Sequence, residues 1–168
     1  MISESDIDLA QIRAGDAAAF EQAYRILKIP IYTLALRLLQ NRAAAEDVTQ
    51  ETFLRLYASP PGPEVRKPRA WLFRVARNLA IDALRQRREE NLKEDFATPE
   101  ENLALRLDVE RALAALPEDE REILTLHLNG GLTFSEVAGV VGLSLPSVYR
   151  RYKKAVLTLR GLLEGVLS

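Results

Sequence analysis

Seven arginines and a lysine stand between Arg66 and Arg88, and their spacing is helical. On a wheel, Arg74, Arg77, Asn78, Asp82, Arg85 and Arg88 fall within one arc. Leu72, Val75, Ala76, Leu79 and Ala83 fall on the opposite one, which gives a helix with one basic and one apolar side. Guanidinium groups in a row hold successive phosphates, and an amide such as Asn78 can hydrogen-bond a base edge. Trp71 and Phe73 open this segment beside Arg66, Lys67 and Arg69. Aromatic rings next to cations suit unstacked bases, at about 1–3 kcal/mol per stacked base. Trp71 fits that role or a place in a core; Phe73 reads as core. Ile81 interrupts the basic arc and needs cover from another element. The chemistry implied is recognition of a polyanion, not the making of bonds.

A second polyanion reader lies near the C-terminus. Ala138, Gly142 and Val148 have the spacing of a helix-turn-helix. A small residue lets two helices cross, a glycine takes the positive φ that ends the first, and a valine plugs the second into the core. Thr133 and Glu136 are placed as a capping box, and Ser144 as cap of the second helix. Pro146 is tolerated in a first turn. Ser147, Tyr149, Arg150, Arg151, Lys153 and Lys154 then lie outside the core. The early ones are placed for base edges and the later ones for phosphate.

Between Ala45 and Tyr57 the chain is acidic and apolar instead. Asp47, Gln50, Glu51 and Leu54 share one helical face, a docking surface for a basic partner helix.

Catalytic signatures are missing. The chain has no cysteine and one histidine, His127, inside an apolar helical stretch, which reads as structural. No phosphate-binding glycine loop, metal-ligand spacing or nucleophile elbow is present, so no catalytic residue, metal site or cofactor is expected. Met1 to Asp8 is acidic and lacks the apolar run of a signal peptide, and no stretch reaches membrane-span length. The reading is a cytoplasmic protein without membrane insertion.

The net charge of −1 conceals segregation. Residues 55–93 carry ten basic and four acidic side chains, and residues 137–168 carry five and one. Residues 94–136, between them, carry three and eleven. Two positive blocks flanking an acidic one suggest two separate contacts with a polyanion.

The elements that must position these groups are all helical, because apolar residues recur at helical spacing nearly throughout. The periodicity predicts helices over 7–13, 17–28 (capped by Asp16), 30–39 (with Pro30 in its first turn), 43–57 and 68–89. The prolines of Ser59-Pro60-Pro61-Gly62-Pro63 stop the fourth. A charged, weakly periodic stretch follows. Thr98-Pro99-Glu100-Glu101 reads as a fresh helix start, and further helices are expected over 100–116, 118–128, 134–141 and 145–164. The fold class is all-α: two small helical domains, 1–89 and 99–168, joined by a short linker at 90–98. The second is a four-helix domain with the helix-turn-helix.

Three stretches in this order resemble one family. Ala45-Glu46-Asp47-Val48-Thr49-Gln50-Glu51-Thr52-Phe53 is similar to the core-polymerase-binding segment of bacterial RNA polymerase sigma factors of the extracytoplasmic-function (ECF) group. Arg69 to Asp82 resembles that family's −10-element segment, and Ala115 to Ala138 resembles the start of its −35-binding domain. The resemblance covers nearly the whole chain. It implies that Asp47, Gln50, Glu51, Phe53 and Leu54 contact or support the clamp helices of the largest polymerase subunit. It implies that the loop from Ser59 to Pro68, with Asn78 and Asp82, captures a flipped base of the non-template strand. Arg66, Lys67, Trp71, Arg74, Arg77, Arg85 and Arg88 would hold the melted −10 region. Pro146, Ser147, Tyr149, Arg150 and Arg151, with Lys153 and Lys154, would engage the −35 element. Further implied partners are the flap of the second-largest subunit and an anti-sigma factor. The chain departs from the family's usual residues at Pro146, Tyr149, Arg150 and Tyr152, so its base preference is its own. The other reading of these residues is a stand-alone helix-turn-helix regulator, which leaves Arg69 to Arg88 unexplained.

Overall fold

The computed structural model describes residues 3–91 and 108–167. A short 3-10 turn, Glu4–Asp6, leads into α1 (Leu9–Arg13), α2 (Ala17–Leu39), α3 (Arg42–Ala58) and α4 (Pro68–Asn91). Then come α5 (Asp108–Ala114), α6 (Glu118–Leu124), one π-helical turn (Thr125–Asn129), α7 (Phe134–Val141) and α8 (Leu145–Leu167). The described residues contain no strand. The expected linker at 90–98 overlaps the end of α4. Its remainder, and the expected cap at Thr98 with the helix start after it, lie outside the described residues.

Local signals set most boundaries. Asp16 accepts from the N–H groups of Ala18 and Ala19 at 2.9 and 3.3 Å and so starts α2. Gln40 closes α2 in the left-handed region, and Asn41 caps α3 through Ala44 N–H at 2.9 Å. One expectation is corrected. Residues 17–39 form one helix, not two, with Pro30 inside it. Pro30 removes a single hydrogen bond, while Leu27 and Ile31 on either side of it are fully buried. Burial of two such side chains is worth several kcal/mol, which outweighs the local penalty of about 3 kcal/mol. The helix expected over 118–128 ends instead at Leu124. It widens into the π turn, closed by Gly130 N–H to Thr125 O at 3.0 Å.

Helices α2, α3 and α4 pack against each other, with α1 laid on α2. Helix α8 packs on α5, α6 and α7. The two units then close on one another: α4 meets α7, and α2 meets α6 and the π turn. Leu27, Leu34 and Phe73 of the first unit share one buried cluster with Ile123, Leu126 and Val137 of the second. Leu113, Leu116, Leu124 and Ala155 form a smaller cluster under α8.

The helix-turn-helix has its Thr133 cap, but the Glu136 carboxylate takes the Thr133 hydroxyl and not the backbone N–H that a capping box would give it. Glu136 N–H donates to Thr133 Oγ1 at 3.1 Å, and the Thr133 hydroxyl donates onward to the Glu136 carboxylate at 3.0 Å. Gly142 sits at φ +72° and Val148 is fully buried. Open space surrounds a Cβ at Gly142, so only the backbone conformation resists substitution. Gly142→Ala is expected to cost about 1–2 kcal/mol, read as a lower urea midpoint with an unchanged m-value.

Candidate partner and nucleic-acid interfaces

Helix α3 divides cleanly. Val48, Thr49, Thr52, Phe53 and Leu56 point inward, and the Thr49 and Thr52 hydroxyls donate to Ala45 O and Val48 O, each at 2.7 Å. Asp47, Gln50 and Glu51 are exposed, and Leu54 keeps 52% of its surface in solvent. Phe53, at 3% exposed, belongs with the core; its ring meets Tyr24 edge-on at 4.9 Å. It supports the face and does not present itself on it. Beside Leu54 a groove of about 430 Å³ runs between α2 and α3. Phe20, Tyr24, Tyr32 and Tyr57 supply its aromatic walls, and Glu46 and Gln50 stand on its rim. The sequence marked the acidic face but missed this apolar floor, because half of it comes from α2.

The proline-rich loop precedes α4. Arg13 Nη1 donates to Pro61 O at 2.8 Å, and Val65 N–H donates to Gly62 O at 3.1 Å. Arg66 and Lys67 are exposed, and Trp71 is half-buried against the core. Phe73 is fully buried, as expected. Asn78, Asp82, Arg85 and Arg88 are exposed, with Asp82 and Arg85 4.0 Å apart.

Two members of the expected basic stripe are engaged by the second unit, Arg77 partly buried and Arg74 still exposed. Arg77 Nε donates to Glu122 Oε1, and Arg74 Nη2 donates to Gly139 O at 2.8 Å. The helical wheel of α4 assigns both to the outer side, and the second unit bonds to them there. Arg37, which no local pattern marks, reinforces the closure. Its guanidinium takes Glu110 in a fork at 2.6 and 3.3 Å. It also reaches Thr125 Oγ1 at 3.1 Å and Asn129 Oδ1 at 2.6 Å. A Cβ at Gly130 would stand 2.5 Å from Leu126 O of its own turn and 3.1 Å from the Phe73 ring, and one at Gly131 would stand 3.0 Å from the Arg69 guanidinium. At Gly139 it would stand 3.4 Å from Arg74.

Burial pushes the Glu122 carboxyl above its usual range, against the opposing pull of Arg77. The closed form therefore holds a proton on Glu122 more tightly than an opened, solvated form. Its contribution to closure is fully present below the solvated value and is lost as pH rises through the raised one. Acidification from neutral pH is expected to raise the closed fraction, measured by energy transfer between dyes on α3 and α8. Glu122→Gln should flatten that dependence.

The C-terminal reader is disposed differently. Leu145, Pro146, Tyr149, Arg150, Lys153 and Lys154 are exposed and Ser147 is partly so. Ser147 N–H donates to Ser144 Oγ at 3.3 Å, which caps α8. Arg151 pairs with Asp119, and Lys154 Nζ lies 3.2 Å from Glu120 Oε1. Those two cations are partly committed to α6, whereas Arg150 and Lys153 have no acidic partner within ion-pair distance among the described residues. His127 Nδ1 lies 2.7 Å from Leu132 O, and its ring stacks on Phe134 at 4.2 Å, so the only histidine is held structurally.

No helix among the described residues is long and apolar enough to cross a membrane, and no group of three or more acidic or histidine side chains is arranged to hold a metal. Residues 23–90 match the Sigma-70 region 2 family and residues 106–159 match Sigma-70 region 4. The ECF RNA polymerase sigma factor SigL of Mycobacterium tuberculosis is 36% identical over 159 residues, covering 88% of this chain and 90% of SigL. SigW of Bacillus subtilis is 27% identical and covers 90% of the chain and 92% of SigW. Among solved structures, CnrH in complex with the cytosolic domain of CnrY matches at TM-score 0.71 and 26% identity, over 97% of this chain and 99% of that one. The sigma factor RpoE of Bartonella quintana, in complex with the anti-sigma factor NepR, shares the fold at TM-score 0.68 and 24% identity, over 86% of this chain and 96% of that one. An acidic-apolar helix, a basic helix and a helix-turn-helix, in that order on one all-helical chain matched along most of its length, make this protein a member of the ECF RNA polymerase sigma factors.

Proposed function

We infer that the chain binds core RNA polymerase in the cytoplasm through the α3 face and directs it to promoters whose −10 and −35 elements are read by α4 and α8. The observation that carries this reading is the exposed face of Asp47, Gln50, Glu51 and Leu54, set beside an aromatic groove. A basic clamp helix with apolar anchors fits such a surface. Phe53 supports it from below. Residues 1–89 act as the polymerase and −10 unit, and residues 99–168 as the −35 unit, which also meets the flap of the second-largest subunit.

Arg66, Lys67, Trp71, Asn78, Asp82, Arg85 and Arg88 engage the melted −10 strand in either arrangement of the units, and Arg74 and Arg77 join them once released from Gly139 O and Glu122. Pro146, Ser147, Tyr149, Arg150 and Lys153 face the −35 duplex, with Arg151 and Lys154 behind them. The chain supplies recognition and strand capture, and polymerase supplies the chemistry. An anti-sigma partner regulates it: the sigma factor RpoE, which shares this fold, was solved bound to one.

The test is run-off transcription with purified bacterial core polymerase over a genomic promoter library. Transcripts that depend on the chain and share paired upstream elements are expected. Absence of both new transcripts and core association would overturn the reading. Arg150→Ala should abolish −35-dependent initiation and leave core association intact in a pulldown. Arg151→Ala should in addition lower the melting temperature, because it releases Asp119.

A further inference from the structure

The start of the recognition helix is apolar. Leu145 and Tyr149, one turn apart on α8, keep 48% and 49% of their surfaces exposed, and Pro146 between them has no N–H to offer. Tyr149 is also held in place. Its ring meets Phe134 edge-on at 5.6 Å, and Phe134 stacks on His127 at 4.2 Å. Tyr152 closes the set, with edge contacts to Phe134 at 4.9 Å and to His127 at 5.1 Å. His127 is in turn tied to Leu132 O. A chain of rings thus runs from a backbone carbonyl to the exposed end of α8. The π turn at Thr125–Asn129 carries His127 at the far end of it.

In the major groove, base pairs present donors, acceptors and a single apolar group, the thymine 5-methyl. An apolar side chain at the base-reading end of a recognition helix has only that group to match. Arg150 and Lys153 flank the apolar pair, and the Lys153 ammonium lies 5.5 Å from the centre of the Tyr149 ring. A cationic rim of this kind suits phosphates on either side of the groove better than a second apolar protein surface. We propose that Tyr149, with Leu145, reads a thymine methyl in the −35 element, and that Phe134 and His127 are positioning residues that hold the Tyr149 ring at the required angle.

The proposal rests on α8 being the −35 reader, and the experiment separates the two. Holoenzyme is assembled from core polymerase and the full chain, and its preferred −35 element is selected from a library. Each thymine on either strand is then replaced by deoxyuridine, which removes only the methyl, and affinity is measured by competition. With the wild-type chain, one or two positions are expected to lose about fourfold in affinity, the equivalent of one buried methyl group. That ratio should fall to one in Tyr149→Ala and persist in Tyr149→Phe. His127→Ala should lower the ratio with core affinity unchanged, and His127→Phe, which keeps the stack but not the bond to Leu132 O, should restore it. A wild-type chain indifferent to every thymine methyl overturns the proposal, as does a ratio that survives in Tyr149→Ala. A holoenzyme that binds a scrambled −35 element as well as the selected one overturns the reading of α8 itself.

Discussion

Glu122→Lys is expected to open the chain and to raise its affinity for a single-stranded −10 oligonucleotide at least tenfold. Glu122 is 7% exposed and holds Arg77 of α4. Replacing its carboxylate with an ammonium sets a like charge against the partly buried Arg77. Like charges held together away from water cost several kcal/mol. Opening relieves the clash, because both cations then reach water, so the penalty falls on closure and not on the folding of either unit. Arg74 and Arg77 become available for phosphates at the same time. Scattering should show a larger radius of gyration, and the charge-swapped double variant Arg77→Glu with Glu122→Lys should return it to the wild-type value. An unchanged radius together with unchanged oligonucleotide affinity would mean that this pair does not hold the units together.

The second large effect concerns polymerase. Asp47→Lys with Glu51→Lys should weaken core association at least tenfold at low salt, mainly through a slower on-rate. Both side chains are exposed, and Glu51 makes only an exposed pair with Arg55 at 3.2 Å. Fold stability should therefore shift by no more than about 0.5 kcal/mol. Raising the salt should shrink the difference as exposed charges are screened. Leu54→Ala should act through the off-rate instead, since Leu54 offers apolar area beside the groove and carries no charge. Equal affinities for wild type and the double lysine variant at both salt concentrations would remove this face from the interface.

The closed arrangement also bears on regulation. Closure ties Arg77 to Glu122 and Arg74 to Gly139 O, whereas Arg150 and Lys153 of α8 carry no such tie among the described residues. Close approach between the units is seen at Gly130 and Gly131, where a Cβ would come within 3.1 Å of Phe73 and 3.0 Å of Arg69; at Gly139 it would meet Arg74 at an ordinary 3.4 Å.

The sequence by itself determined the elements and the family. Asp16, Asn41, Thr133, Gly142 and Ser144 cap or end helices through bonds to neighbours a few residues away, so their roles are legible locally. The alternation of apolar and charged residues along α8 likewise told which side faces inward, because burial follows helical period. Local rules misjudged Pro30, where packing on both sides kept one helix continuous. They could not place Arg37, whose partners lie 73 to 92 residues away. Nor could a wheel drawn for α4 alone show that Arg74 and Arg77 face a second unit. The groove between α2 and α3, the ring stack behind Tyr149 and the latch of Glu122 on Arg77 each join side chains from different helices. Only tertiary structure decided them, because a periodic pattern fixes which side of a helix is apolar or charged but carries no information about what will be packed against it.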